Sequence, residues 1–338
     1  MPNVDLKRLA KELNLAVSTV SRALRDSYEI SAETKQRVFE LARKLNYVPN
    51  PYASSLRKQK SKTIAVVVPE IANNFFALAI NGIESIAQEK GYHVLIYLTH
   101  EQFSREESIA RHLQSGRVDG ALVSLSGETS SFDHLNDLKQ TGVPIVFFDR
   151  VCETLNSGRV TTNDFESGMV AAEHLVERGC RKIAYLSISN NLSIASKRMD
   201  GYLKALEKAG VPHDPKLVLQ CSANDNEANY KAIVNLLKKK NRPDGIFASV
   251  EKLAILSYQA CEELKLKIPE DIKILGFSNL ETAAWLNPSL TTITQPAFEI
   301  GKEAAALLFK TLEKKSMNFS DEKIMLNSKL IVRKSTGN

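Results

Sequence analysis

Ser18, Thr19, Ser21, Arg22 and Arg25 are the residues in this sequence whose types and spacing point most directly to chemistry. Short hydroxyls and guanidinium groups gathered on one stretch suit hydrogen bonds to base edges and phosphates rather than covalent catalysis. A helix must present them. Leu6, Leu9, Ala10 and Leu13 fall on one face of a helix, and Val17, Val20, Ala23 and Leu24 fall on the face of a second, so the polar groups point outward. Asp5 is an N-cap for the first helix, because its carboxylate can accept from a free backbone N–H there. Only Asn14, Leu15 and Ala16 separate the two faces, and Asn14 tolerates the positive φ that a sharp turn requires. So short a break sets two short helices at a steep angle, which is the helix-turn-helix arrangement. Helix pairs also occur in ordinary cores, and the pattern alone leaves both readings open.

Charge separates them. Residues 1–62 hold 13 of the 45 Lys and Arg but only 6 of the 39 Asp and Glu, a net of +7. The remainder carries 32 basic against 33 acidic residues, a net of −1. A basic end joined to a near-neutral body is the electrostatic footprint of a module that meets a polyanion.

A third helix follows, capped by Ser31, with Glu33 and Thr34 in its first turn and Val38, Leu41, Ala42 and Leu45 as its buried face. With it on the page, VSTVSRAL at Val17–Leu24 and ISAETKQRVFELARKLNYVPN at Ile30–Asn50 resemble the N-terminal module of LacI/GalR-type bacterial transcription regulators. The resemblance runs through ASSLRKQKSKTIAVVVPEIANNFF to Phe76, and weaker pieces recur to the C-terminus. It implies a homodimer on near-palindromic double-stranded operator DNA, with Arg22 and Ser18 reading bases and Val17 offering an apolar contact. Thr19, Ser21 and Asn50 are then expected to hold phosphates. Residues 51–58 form a helix too short to hold itself together in water. In the resembled family this hinge helix forms on the operator and a leucine wedges into the minor groove, the place occupied here by Leu56, flanked by Arg57 and Lys58. A charged, solvated linker is the alternative, and it leaves Leu56 without a purpose.

From Thr63 the pattern changes to apolar runs such as TIAVVVP, DGALVSL and PIVFFDR, alternating with helical stretches. This is βαβ repetition and implies parallel sheets flanked by helices. The fold class expected is α/β: a helix-turn-helix domain over 1–48, a hinge helix and linker over 49–62, and a two-lobed core over 63–338. Its lobes are expected near 63–161 with 290–338, and near 162–289. Such a pair of lobes is the architecture of periplasmic sugar-binding proteins, a core for which the resembled family is also known.

Ligands of open parallel sheets bind outside the carboxyl ends of the strands. Those ends carry Asn73, Asn74, Phe75 and Phe76, then Asp149 and Arg150, and in the second half Asn163, Asp164, Arg198, Val250, Glu251, Ser278 and Asn279. Rings beside carboxylates, amides and Arg suit a polyhydroxylated, sugar-like effector. The resemblance singles out Phe75, Arg150, Arg198 and Ser278. Trp285, the only tryptophan, either covers a sugar face or packs as a core or interlobe residue.

Three positions depart from the resembled pattern. Ala16 stands where many members have a capping Ser, which weakens the start of the recognition helix by about 1 kcal/mol. Val250-Glu251 replaces a usual Asn-Asp, and Ser278 replaces the Asp of a Gly-Phe-Asp segment, so the effector is not assignable by analogy.

No Gly-rich phosphate loop, nucleophile elbow or HExxH is present, so a binding role is expected rather than an enzyme. The scattered histidines and four cysteines (Cys152, Cys180, Cys221, Cys261) offer no metal-ligand spacing, and neither metal nor cofactor is expected. No run approaches the roughly 18 apolar residues of a membrane span. The N-terminus has no secretory h-region, and the C-terminus has no heptad tail to suggest a tetramer, so a cytoplasmic dimer is expected, acting as a repressor.

Overall fold

The structure is a computed structural model that describes residues 5–47, 61–188, 192–313 and 321–337. The chain divides into two compact units, residues 1–60 and 61–338. In the first, helices α1 (Leu6–Leu13), α2 (Val17–Ala23) and α3 (Ala32–Lys44) surround Leu9, Ala10, Val20, Ala23, Val38 and Ala42. Their ends are set by the side chains the sequence offers. Asp5 accepts from the Arg8 N–H at 2.8 Å, Asn14 closes α1 at φ 52°, and the Ser31 hydroxyl accepts from the Thr34 N–H. Ala16 gives α2 no side-chain cap. Val17 belongs to the apolar pattern yet is 43% exposed, so the core of this unit does not use it.

The second unit contains two six-stranded sheets of the same strand order, differing in the direction of one edge strand. The first has the order β11-β5-β4-β3-β1-β2, built from β1 (Thr63–Val68), β2 (His93–Leu98), β3 (Gly120–Val123), β4 (Ile145–Phe148), β5 (Gly158–Thr162) and β11 (Lys323–Leu326). The second has the order β12-β10-β9-β8-β6-β7, from β6 (Ile183–Ser187), β7 (Val218–Gln220), β8 (Gly245–Ala248), β9 (Lys273–Phe277), β10 (Thr291–Thr294) and β12 (Lys329–Ile331). All these pairings are parallel except β10 with β12. Strand β1 shows why its apolar run is unbroken: Ile64, Val66 and Val68 join one core cluster, while Ala65 and Val67 join another on the opposite face.

The expected division at residue 290 is corrected by this topology. Strands β10 and β12 pair within the second sheet, so the chain passes from the second lobe to the first after Thr294, and its last strand returns to the second. Strand β5, GRVTT, carries no continuous apolar run, and β11, KIML, carries one of only three residues. They are strands because they pair with each other, and β5 with β4.

Each lobe is closed by a pair of helices crossing at glycines. In the first, α4 (Asn74–Glu89) meets α11 (Ala297–Glu313); in the second, α7 (Asp164–Glu177) meets α8 (Ser193–Lys208). A Cβ on Gly301 would stand 1.9 Å from the Ala79 carbonyl oxygen, and one on Gly201 would stand 2.1 Å from that of Phe165. The remaining helices of this unit are α5 (Phe103–Leu113), α6 (Asp133–Gln140), α9 (Asn226–Leu237) and α10 (Glu251–Glu263). Among the described residues, no helix is long and apolar enough to cross a membrane. Gly301→Ala and Gly201→Ala are each expected to destabilise the protein by about 2 kcal/mol or more, seen as a lower urea midpoint, because backbone rather than a flexible side chain fills the space. Unchanged midpoints would show that the helices separate without cost.

Candidate functional site

On the first unit, Val17, Ser18 and Arg22 are exposed along α2, and Thr19 and Ser21 are half-buried beside them. Arg22 is not idle. Its Nη1 lies 2.8 Å from Glu29 Oε2, and both side chains are about half exposed. Arg25 folds back to donate to the Ser21 carbonyl at 2.9 Å and to its hydroxyl at 3.2 Å. Glu29 was not foreseen from the sequence; the signal was a carboxylate seven positions after Arg22, on the polar connection before α3. Asn50, Leu56 and Arg57 lie outside the described residues.

On the second unit, a cleft lies between the carboxyl ends of the two sheets. Of the residues expected there, Asn73, Phe75, Phe76, Asp149, Arg150, Arg198, Glu251 and Ser278 line it. Two do not. Asn163 spends its side-chain oxygen on the Ser167 hydroxyl at 3.0 Å and the Ser328 N–H at 2.8 Å, and so ties two crossing strands together. Trp285 follows a short 3-10 turn (Glu281–Ala284) and is 80% exposed, so it neither covers the cleft nor packs in a core.

The first lobe contributes a buried charged pair. Arg150 donates from Nη1 to Glu101 Oε2 at 2.7 Å, and the Gly127 N–H donates to the same oxygen at 2.7 Å. Burial alone would raise the Glu101 carboxyl, but Arg150 and the Gly127 N–H outweigh it and hold Glu101 below the usual carboxylate range. Glu101 was missed because only the ends of β1 and β4 were read in this lobe; it follows β2 closely, at φ 62°. Asp149 sits at φ 59°, its Oδ2 4.0 Å from Arg150 Nε. A left-handed backbone in a non-glycine residue costs on the order of 1 kcal/mol and persists where the surroundings over-determine it. Burial pushes the Asp149 carboxyl from 3.8 up to about 6, against the opposing charges of Arg198 and Arg150.

The second lobe matches it. Arg198 donates from Nε to Asp164 Oδ1 at 2.7 Å and from Nη1 to the Ser249 carbonyl at 2.8 Å, with its guanidinium 3.8 Å from the centre of the Phe277 ring. Glu251 opens α10 and bridges the lobes. Its Oε1 accepts from Asn74 Nδ2 at 2.7 Å, and its Oε2 accepts from the Ser278 hydroxyl at 2.6 Å and the Asn279 N–H at 3.2 Å. Gln295, on the crossing after β10, donates to Asp149 Oδ1 at 3.3 Å and Thr162 Oγ1 at 3.2 Å. The arrangement offers rings, buried donors and carboxylates facing one another across a cleft. It can hold a polar ligand on all sides. The charged groups are bonded to each other rather than poised on a nucleophile.

Residues 5–50 match the bacterial regulatory proteins of the lacI family, and residues 172–336 match a periplasmic binding protein-like domain. The HTH-type transcriptional repressor CytR of Escherichia coli is 30% identical over 98% of this chain and 96% of its own. A solved LacI family transcriptional regulator from Enterococcus faecium, with bound ribose, is 30% identical with a TM-score of 0.71, covering 81% of this chain and 98% of that one. The lac repressor dimer bound to operator and the anti-inducer ONPF shares the fold, with a TM-score of 0.85 at 21% identity over 99% of each chain.

The Asp149 environment predicts a pH dependence. Its folded pKa lies above the ordinary value, so the stability linked to its proton is full below about pH 4 and is lost as pH rises through about 6. Asp149→Asn keeps the acceptor for Gln295 and removes that loss. It is expected to raise the melting temperature at about pH 8, equivalent to about 1–3 kcal/mol, with the gain vanishing near pH 4. A gain of equal size at both pH values would assign it to packing instead.

Proposed function

This chain belongs to the lacI family of bacterial regulatory proteins, and we propose that it is a homodimeric repressor whose operator affinity is set by a sugar-like molecule held between its two core lobes. It is a DNA-binding transcriptional regulator with a periplasmic-binding-protein-like effector domain. The observation that carries the effector reading is the cleft itself, where Asn74 of one lobe and Glu251 of the other already share a hydrogen bond. A ligand that inserts its own groups between those lobes changes their relative energy in open and closed arrangements. Ribose in the Enterococcus faecium regulator, at 30% identity, supports a sugar.

Arg22 and Ser18 read bases, Val17 meets an apolar base edge, and Thr19, Ser21 and Asn50 hold phosphates. Leu56 wedges at the central step of a near-palindromic operator, with Arg57 beside it. Dimerisation is supported by apolar groups left uncovered in the monomer: Leu95 and Ile96 of β2 are 42% and 41% exposed. Ligand and operator then share one coupling free energy, which is reciprocal. A binding role is favoured over catalysis because the cleft's guanidinium groups are bonded to its carboxylates. With DNA as the partner, the protein works in the cytoplasm, in keeping with four cysteines that are buried and free.

The deciding experiment selects an operator from random duplexes and titrates it with and without sugars. A sugar that raises the melting temperature and shifts operator affinity is the expected result; an operator whose affinity no stabilising sugar alters would overturn the allosteric reading. Arg22→Ala is expected to cost about 1–3 kcal/mol on the selected operator and much less on random duplex. Equal losses on both would remove its base-reading role. Glu29→Gln releases Arg22 and removes a negative charge from the DNA face, so it is expected to tighten random-duplex binding about 3-fold to 10-fold at low salt. Weaker binding would mean that Glu29 holds Arg22 in its reading pose.

A further inference from the structure

We propose that the ligand of the interlobe cleft is an uncharged polyhydroxylated molecule, and that the cleft rejects the phosphorylated and carboxylated forms of the same compound. The proposal rests on the reading of the cleft as the effector site and adds the charge state of what enters it.

Arginines in a pocket ordinarily suggest an anion, because a guanidinium matches phosphate and carboxylate geometry. Here both are already matched. Arg150 is 5% exposed and carries Glu101 at 2.7 Å; Arg198 is 3% exposed and carries Asp164 at 2.7 Å. Asp149 and Glu251 then face the same space, with Asp149 no nearer than 4.0 Å to Arg150 Nε. Four carboxylates therefore stand against two guanidinium groups. The nearest further charges, Glu70 beside Arg150 and Lys252 beside Glu101, are one of each sign and leave the balance unchanged. A phosphate entering this cleft would add negative charge to an excess that is already negative, and would do so out of water, where the repulsion is least screened.

What the cleft does offer is single bonds of both kinds. Arg150 Nε on one lobe and Arg198 Nη2 on the other are buried donors without a hydrogen-bond partner among the described residues. The Asp149 carboxylate and the Glu251 oxygens are acceptors, the latter held now by Asn74 and Ser278. A hydroxyl both donates and accepts, so adjacent hydroxyls of a polyol can meet an arginine donor and a carboxylate acceptor together. A phosphate ester in its dianionic form, which dominates above about pH 6, has no proton to give to Asp149 or Glu251. Phe75, Phe76 and Phe277 supply the apolar faces against which C–H groups of such a molecule pack.

The test is a thermal-shift and calorimetric comparison on the full-length protein, using ribose, glucose, fructose, trehalose and cellobiose, each against its own terminal phosphate ester. For every pair in which binding is seen, the parent sugar is expected to bind at least about 10-fold tighter than its ester. Asp149→Asn and Glu251→Gln, made separately, are each expected to narrow that ratio toward parity by relieving the negative excess. An ester that binds as tightly as its parent or tighter would overturn the charge inference while leaving the sugar reading standing. No binding by either member of any pair, with operator binding intact, would overturn the sugar reading and this inference with it. An unchanged ratio in both variants would assign the selectivity to space rather than charge, and would overturn it too.

Discussion

The chain passes between its two sheets three times, and these passages are bonded to one another. Gln295, on the second, donates to Thr162 at the start of the first, while the Asn163 side chain accepts from Ser328 on the third. The Asn163 N–H also donates to the Leu326 carbonyl at 3.2 Å. Bonded in this way, the three passages form one connected hinge between the lobes. Asn163 thus serves the hinge and not the ligand. Gln295 serves both, because the same amide that joins two passages also reaches Asp149 in the cleft. Any change in the charge or position of Asp149 is felt directly at the hinge.

Burial explains the rest of the cleft. A guanidinium out of water is tolerable only when a carboxylate meets it with good geometry, and each lobe supplies its own pair. Because each pair is completed within one lobe, the lobes can separate without uncovering an unpaired buried charge. Two polar contacts that cross, Asn74 with Glu251 and Lys197 with Glu153 at 2.7 Å, involve groups that keep some access to water and are cheaper to break, while Leu192 and Ile194 also cross to join a buried apolar cluster of the first lobe. The replacement of an expected aspartate by Ser278 is compensated within the second lobe, since Glu251 brings a carboxylate to the Ser278 hydroxyl from the neighbouring helix.

The N-terminal unit is small, with six buried apolar side chains among the described residues and no side-chain cap on α2. Its charged groups are organised by short local bonds, Arg8 to Glu12, Arg22 to Glu29 and Lys35 to Asp26, all at the surface. Such pairs contribute little to stability. They fix which of the described cations are held in ion pairs.

Features whose cause is local were legible from the residues alone. Caps at Asp5 and Ser31, the positive φ at Asn14 and the period of the apolar positions set the three helices. The unbroken run from Ile64 to Val68 could only be a strand buried on both faces. Strand ends then placed Phe75, Arg150, Arg198 and Glu251 near one another, since parallel strands deliver their carboxyl ends to one edge. Features whose cause is non-local needed the fold. GRVTT and KIML are strands only because each lies beside the other across about 160 residues of chain. Strand β10 belongs to the second sheet because β9 is its neighbour there. Glu101 meets the cleft's Arg150, and Trp285 stands away from the cleft, because of where their turns project, which no spacing in the sequence encodes. Local bonding is written in neighbouring residues, whereas pairing partners and charge balance exist only once distant segments have met.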